Sequence, residues 1–174
     1  MAVKQFNLAE GQRAERKLLI TVAEWTEGQT EVREILGTRT EDSSIEYNAD
    51  IETTTDILGI NYTDINRTQP QQDFDPYLVL GGSKLGAKLN DIRKRNALSE
   101  LSQFTMYIIT AFVGTAGAYE AEKHTGCTIT YNSMGGDSNV NFPISVYFSN
   151  KITNGSVDKL ADDFVFTADV DVEP

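Results

Sequence analysis

Hydrophobic and polar residues alternate with a period of two along most of this chain, which is the pattern that predicts β-strands. The alternation is clearest from Ser44 to Thr55, where every second residue is apolar: Ile45, Tyr47, Ala49 and Ile51. Further strands are predicted over residues 17–25, 32–40, 103–113, 125–132, 142–149 and 164–172. The segment 26–30 contains a glycine and is of hairpin length, so the first two strands are expected to form a hairpin.

The uncharged segment Leu101–Tyr119 is near the length that crosses a bilayer. Its Ser, Thr, Gln and Gly residues and its acidic flanks, Glu100 and Glu120, are unfavourable for a membrane helix, so no membrane insertion is expected. In its central part, apolar residues occupy both the odd-numbered and the even-numbered positions, which predicts a buried strand that is covered on both faces. We expect one cover to be the chain's own core and the other to be a neighbouring molecule.

Three stretches are predicted to be loops or turns. Residues 59–75 are polar and include Pro70, which disfavours a central strand or a helix. A loop of this length is unusual in a compact domain, so we expect it either to have a functional role or to pack on a neighbour. Residues 132–141 form a Gly- and Asn-rich connection, and the pair Asn154-Gly155 is a strong signal for a hairpin turn.

One helix interrupts the strands, over about residues 84–96, with Ser83 as its N-cap. Three apolar residues at helical spacing form its core-facing stripe: Leu85, Leu89 and Ile92. Five basic residues lie on the same helix: Lys84, Lys88, Arg93, Lys94 and Arg95. Strands with one inserted helix predict a mainly β fold, a β-sandwich or barrel with one flanking α-helix. We expect a single domain over residues 1–174, with a flexible N-terminal arm over about residues 1–13.

Acidic residues outnumber basic ones, with 26 Asp and Glu against 15 Lys and Arg, and the net charge is −11. This balance argues against tight, non-specific binding to nucleic acid and against docking on an anionic membrane. The hydrophobic content of 40% is sufficient for a folded core. The mixed segment Met1–Gly11 lacks the apolar run of a secretory signal, so no export is expected.

Candidates for catalysis or metal binding are few. Cys127 is the only cysteine and His124 the only histidine, which excludes an intrachain disulfide and a multi-histidine metal site. Cys127 alternates with apolar residues and is expected to be buried, whereas His124 is expected to form a surface pair with Glu122. The Gly81–Gly86 segment matches no phosphate-binding glycine motif, and the acids between Glu41 and Asp56 match no EF-hand. We therefore expect no enzymatic activity, no metal and no cofactor.

Several features follow one another along the chain. They are an early hairpin, the acidic alternating strand from Ser44 to Gly59, the sequence Asp73-Phe-Asp-Pro-Tyr77, a helix after Gly81-Gly82, and a β-rich second half. This order resembles that of the major tail proteins, or tail tube proteins, of long-tailed bacteriophages and related prophages. The resemblance covers most of the chain, most closely residues 45–109.

The resemblance implies a β-sandwich with a flanking helix that assembles into hexameric rings. Such rings stack into a hollow tube through which the viral genome passes during ejection. The location is then the tail of the virion, with synthesis in the cytoplasm of the host bacterium. The implied partners are identical copies, the tail-tip or baseplate initiator, the tape-measure and terminator proteins, and DNA in transient, non-specific passage.

An acidic lumen lets DNA slide, because DNA is itself densely negative. The acids that we expect to face the lumen come first from the Ser44–Thr55 strand and then from the C-terminal strand: Glu46, Asp50, Glu52, Asp169 and Asp171. A position on the outer surface of the tube is the alternative for these acids. The basic residues of the helix form either a charge patch for a neighbouring subunit or ring, or a solvated face on a core-packed helix.

Two other classes of function stay open from the sequence. One is a receptor- or carbohydrate-binding β-sandwich module of a phage tail tip or baseplate, which predicts an exposed aromatic cluster and a discrete oligomer. The other is a small enzyme, which predicts a deep pocket around His124.

Overall fold

The structure is a computed structural model that describes residues 4–169 of the chain. Strands account for 46% of the residues and helices for 12%, which confirms the predicted mainly β fold with one flanking helix. Eleven strands lie in the described range: β1 (Leu19–Glu27), β2 (Thr30–Ile35), β3 (Ile45–Glu46), β4 (Asp50–Thr55), β5 (Asn61–Arg67), β6 (Gln71–Phe74), β7 (Phe104–Thr115), β8 (Ala118–Tyr131), β9 (Ile144–Tyr147), β10 (Ile152–Val157) and β11 (Phe166–Ala168). The helices are α1 (Lys84–Arg95) and two short 3₁₀ helices, Arg16–Leu18 and Leu98–Ser102.

Nine of these strands form one antiparallel sheet that folds over at the long strand β8. The order along the sheet is β2-β1-β7-β8-β9-β6-β3, with β10 beside β8 and β11 beside β10. Over residues 118–127 β8 pairs with β7, and over residues 128–131 it pairs with β9. Gly126, with a φ of +73°, lies at a register shift opposite Phe104 and Thr105. A bulge of this kind bends a strand, so β8 contributes to both layers of the sandwich.

Two hydrophobic clusters lie on opposite faces of β7. Phe104 and Met106 belong to the larger cluster, which includes the apolar face of α1. Tyr107 and Ile109 belong to the smaller cluster, which also contains Phe164 from the C-terminal segment. The predicted burial of this strand is therefore confirmed. The prediction of a neighbouring molecule on one face is wrong, because the chain's own second cluster covers that face.

An ion pair between a buried carboxylate and a half-buried guanidinium ties the smaller cluster together. The Arg33 guanidinium on β2 binds the carboxylate of Glu24 on β1, and the Tyr107 hydroxyl donates to the same carboxylate at 3.1 Å. Arg33 also donates to the carbonyl oxygen of Phe164 at 2.6 Å and lies 4.4 Å from the centre of the Phe164 ring. Burial raises the pKa of Tyr107, so the phenol remains a hydrogen-bond donor. Arg33 thus joins the β1–β2 pair to the C-terminal segment that contains Phe164.

The helix α1 forms as the sequence predicts. The Ser83 hydroxyl accepts a hydrogen bond from the backbone N–H of Gly86 at 3.1 Å. Asn96 ends the helix in the left-handed conformation, with a φ of 53°. Three side chains of α1 are fully buried in the larger cluster, which confirms the predicted core face: Leu85, Leu89 and Ile92.

The prediction of one strand over Ser44–Thr55 is wrong. β3 ends at Glu46, and Asn48 has a φ of 43°, which interrupts the alternation before β4 begins. β3 pairs with β6 in the large sheet, whereas β4 pairs with β5 in a separate two-stranded sheet. The apolar residues of the predicted strand therefore form no common buried face, and both Tyr47 and Ile51 are exposed.

The prediction of an irregular loop over residues 59–75 is also wrong, because β5 and β6 lie within it. Every residue of β5 is exposed, so the strand needs no row of apolar side chains on one face, and polar residues are compatible with it. Pro70 lies directly before β6, where the missing N–H of a proline is tolerated.

The prediction of a turn at Asn154-Gly155 is wrong, because both residues lie inside β10. Gly155 serves close packing instead: a Cβ atom there would overlap the carbonyl oxygen of Thr167 and lie 2.7 Å from the Phe166 ring. The partner strand β11 is shorter than the strand predicted over residues 164–172, of which the last three lie outside the described residues.

Gly155→Ala is expected to destabilise the fold, because β11 and the Phe166 ring must move to admit a methyl group. Overpacking of this kind costs about 1–3 kcal/mol, and urea unfolding of the variant measures the loss. Gly81→Ala is the matched control, since a Cβ atom at Gly81 meets no atom within 4 Å. An equal loss of stability in the two variants would contradict the packing explanation.

The described part of the predicted N-terminal arm lies along β7. Phe6 forms a bridge with Val113, and its ring packs edge-on against that of Phe112 with 5.6 Å between the ring centres. The backbone N–H of Asn7 donates to the carbonyl oxygen of Phe112 at 2.9 Å. The flexibility of the arm stays a prediction, and residues 1–3 lie outside the described range.

Candidate interaction surface

The strands β4 and β5 form a β-hairpin that is separate from the large sheet. Among the described strands they pair only with each other. Every residue in both strands is exposed. We call this element, residues 50–67, the hairpin.

The hairpin has a neutral face and an acidic face, because residues that pair across two strands point to the same side. Ile51 pairs with Ile65 on the neutral face, and Glu52 pairs with Asp64 on the acidic face. Two carboxylates directly opposite each other repel. The side-chain amide of Asn66 donates to Glu52 at 3.3 Å, which supplies a dipole but no positive charge. A cation from another molecule would relieve the repulsion.

Asp56 organises the turn at the tip of the hairpin. Its Oδ1 atom accepts hydrogen bonds from the backbone N–H groups of Leu58 at 2.8 Å and Ile60 at 2.9 Å. Its Oδ2 atom accepts from the Tyr62 hydroxyl at 3.2 Å. The hydrogen bond from Ile60, and then those from Leu58 and Tyr62, lower the pKa of Asp56. The turn presents its apolar side chains to solvent: Ile57 is fully exposed and Leu58 is 78% exposed.

The exposed apolar residues of the hairpin indicate an interaction surface. Single exposed apolar residues are common, but the hairpin carries a group of them: Ile51, Ile57, Leu58, Ile60, Tyr62 and Ile65. A two-stranded hairpin without a packed face is only marginally stable in water. Burial against another molecule would supply a packed face, so the hairpin is the candidate functional site. The sequence indicates a contact in this region but not the element that makes it.

The predicted basic patch of α1 is partly neutralised within the chain. Three of its five residues pair with carboxylates: Lys84 with Asp162 at 3.2 Å, Lys88 with Glu100 at 2.9 Å, and Arg95 with Asp91 at 2.7 Å and with Glu100 at 2.8 Å. Arg93 and Lys94 are exposed and form no ion pair with any carboxylate of residues 4–169. These two cations are available to a partner.

Glu100 makes the contribution of this cluster to stability depend on pH. Hydrogen bonds from Arg95 and then Lys88 lower the pKa of Glu100 from 4.5 to about 2. A depressed folded-state pKa means that the stabilisation is present above pH 4.5 and disappears as the pH falls towards 2. We expect Glu100→Gln to be less stable than the wild type at pH 7, with the difference vanishing over this window. Urea unfolding across pH measures it, and a difference independent of pH would contradict the assignment.

The acids predicted to face a lumen do not lie on one element. Glu46 lies on β3, and Asp50 and Glu52 lie on the hairpin. Asp169 directly follows β11, and Asp171 lies outside the described residues. The four described acids are exposed. Asp50 lies 3.6 Å from Arg67, and Asp169 lies 3.3 Å from Lys4. A lumen position for these acids stays a prediction.

His124 pairs with Glu122 as predicted, but the prediction that the histidine lies at the surface is wrong, because it is buried in β8. Only 1% of the residue is exposed. Its Nδ1 atom lies 2.9 Å from the carbonyl oxygen of Ser149, its Nε2 atom lies 3.3 Å from Glu122, and its ring packs edge-on against Phe148. Both ring nitrogens thus contact the protein. Cys127 is buried as predicted, and burial raises the pKa of its thiol.

The N-terminus of α1 binds a carboxylate of its own chain. Glu34 on β2 accepts hydrogen bonds from the backbone N–H groups of Lys84 and Leu85, and from the hydroxyls of Tyr77 and Ser83. The carboxylate occupies the position at which a helix N-terminus binds an anion. The sequence does not reveal this contact, because Glu34 lies 50 residues before the helix.

Within residues 4–169 no group of three or more His, Cys, Asp or Glu side chains is placed to hold a metal ion. No helix in this range combines the length and the apolar character needed to cross a membrane. The chain matches no known protein-family model, and no curated protein matches it significantly.

Proposed function

We propose that this chain is the structural subunit of a bacteriophage tail tube, in which hexameric rings stack around a lumen for the viral genome. The observation that carries the proposal is the hairpin, which leaves the sandwich and presents apolar residues with no cover from the described chain. The order of features along the sequence supports the same function. The subunit acts in the tail of the virion, is made in the host bacterial cytoplasm, and needs no catalysis or cofactor.

The sandwich and the hairpin suit different parts of this role. The sandwich has two buried clusters and supplies a body that keeps its shape. The hairpin lacks a cluster of its own and gains a packed face when copies associate, which favours assembly through burial of apolar area. The further partners are the tail-tip or baseplate initiator and the tape-measure and terminator proteins. DNA passes without specific binding, which is compatible with a net charge of −11.

Glu46 on β3 offers a test of the acidic lumen. We expect Glu46→Lys to leave the tubes intact and to slow the release of DNA, because a cation in the lumen attracts the phosphate backbone. Fluorescence of a DNA-binding dye during ejection from assembled particles measures the rate. Asp137→Lys is the control, because Asp137 is an exposed residue of the 132–141 connection. Release at the wild-type rate from Glu46→Lys particles would place Glu46 outside the lumen.

Negative-stain electron microscopy of the purified protein over a concentration series tests the assembly itself. Hollow tubes or six-fold rings are the expected result. A tube subunit that needs its initiator stays soluble alone, so a second series contains the purified tail-tip initiator. A discrete monomer or trimer in both series would overturn the proposal. That outcome would favour a receptor- or carbohydrate-binding module of the tail tip or baseplate.

A further inference from the structure

The hairpin and α1 are exposed elements of opposite charge. The hairpin carries one base, Arg67, and four acids, a net charge of −3: Asp50, Glu52, Asp56 and Asp64. α1 carries one acid, Asp91, and five bases, a net charge of +4: Lys84, Lys88, Arg93, Lys94 and Arg95. In a chain with a net charge of −11, this positive element is the natural partner for the acidic hairpin.

We infer that the acidic face of the hairpin in one copy docks along the exposed face of α1 in a second copy. Glu52 and Asp64 then lie opposite Arg93 and Lys94. The inference rests on the proposed function, because it names the surfaces through which copies of the chain associate. It also replaces the lumen assignment of Glu52 with a position in an interface.

The unpaired charges on both sides support this pairing. Glu52 and Asp64 oppose each other across the hairpin, and no ion pair within residues 4–169 neutralises either of them. Arg93 and Lys94 likewise form no ion pair with a described carboxylate, whereas the other three bases of α1 do. The carboxylates that bind α1 within its own copy are Asp91, Glu100 and Asp162, and none of them belongs to the hairpin. A contact between the hairpin and α1 is therefore a contact between two copies of the chain.

The dimensions of the two elements agree. The 6-residue strand β4 spans about 20 Å at a rise of about 3.3 Å per residue. The 12-residue helix α1 spans about 18 Å at about 1.5 Å per residue. A hairpin of this length covers the helix from end to end. The exposed face of α1 is free for such contact, since its apolar face is already buried in the larger cluster.

The two kinds of contact have different consequences. Charge pairs at an exposed interface mainly direct the approach and the register of the two surfaces. Tyr62, which pairs with Thr54 on the acidic face, loses contact with water in this docking and adds affinity, whereas Ile51 and Ile65 point away from α1. Assembly should therefore weaken as salt is added, without being abolished by it.

Charge reversal on each surface tests the pairing. We expect Arg93→Glu/Lys94→Glu and Glu52→Lys/Asp64→Lys each to weaken association at least tenfold at low salt, measured by analytical ultracentrifugation. The variant with all four reversals is expected to regain association to within threefold of the wild type. Arg13→Glu/Lys151→Glu, a reversal of two exposed bases elsewhere, is the control. Circular dichroism verifies that every variant is folded.

A disulfide cross-link tests the contact directly. Cys127 is buried, so an engineered cysteine is the accessible thiol in each copy. A Glu52→Cys copy mixed with a Lys94→Cys copy is expected to form a mixed disulfide dimer on mild oxidation. Replacing Lys94→Cys by Lys151→Cys in the mixture is expected to prevent it.

The outcomes separate this inference from the proposed function. If tubes form, but the cross-link does not form and the variant with all four reversals does not regain association, the inference is overturned and the tail-tube proposal is not. The cross-link in discrete oligomers that never form rings or tubes supports the inference and contradicts the tail tube. A wild-type chain that stays monomeric, with initiator present and without a cross-link, overturns both.

Discussion

Replacing Ile57 and Leu58 by aspartate is expected to abolish assembly of the chain while leaving the monomer folded. Both side chains project into solvent from the turn that Asp56 holds in place. Surface substitutions of this kind usually change the free energy of unfolding by less than about 0.5 kcal/mol. In an interface, the loss of two buried aliphatic side chains costs about 3–6 kcal/mol of association free energy. That corresponds to a roughly 10²- to 10⁴-fold weaker association.

Two measurements on the same variant separate assembly from folding. Electron microscopy and sedimentation report the loss of rings and tubes, and thermal unfolding of the monomer reports its stability. Val165→Asp is the matched control, because Val165 is the most exposed aliphatic side chain outside the hairpin among residues 4–169. If the Ile57→Asp/Leu58→Asp variant assembles like the wild type, the hairpin tip is not part of the interface.

Arg33→Met is expected to destabilise the fold more than Gly155→Ala or Glu100→Gln does. It leaves the Glu24 carboxylate, which is 6% exposed, buried without its cation. Breaking a buried pair in this way typically costs about 3–5 kcal/mol. For a chain of this length, the melting temperature is then expected to fall by roughly 6–20 °C. Differential scanning calorimetry measures the change.

A second variant distinguishes the unpaired charge from lost packing. Glu24→Gln/Arg33→Met removes both charges and keeps an oxygen that accepts the hydrogen bond from the Tyr107 hydroxyl. We expect it to recover at least half of the stability that Arg33→Met loses, because no uncompensated charge remains buried. No recovery would mean that Arg33 stabilises the fold through its contacts with Phe164 instead.

The parts of the fold that the sequence predicts are those that depend on a local pattern. α1 combines a capping serine with an apolar stripe at helical spacing, and both signals belong to residues within one short segment. The strand β7 is predictable for a related reason, since apolar residues on both parities require cover on both faces. The source of the second cover is not predictable, because Phe164 is brought to β7 by the folding of β10 and β11.

The candidate site is predictable only in part, because its strands lack the usual strand signal. The hairpin has no packed face among residues 4–169, so its strands need no row of apolar side chains, and the polar residues of β5 indicate a loop. Asn48 breaks the alternation through its backbone conformation, which its residue type does not fix. The Glu34 contact with α1 and the burial of His124 depend on distant segments, and no spacing in the sequence reveals them.

The passage of β8 from one layer to the other determines how the subunit responds to force. A load applied to one layer is carried to the other by the covalent backbone of β8, and not only by side-chain packing between the layers. The two layers therefore bend and stretch as one body. The hairpin shares no strand pairing with either layer, so the backbone ladder of the large sheet does not carry a load into it. In the tube that we propose, the walls would therefore be stiffer than the joints between subunits.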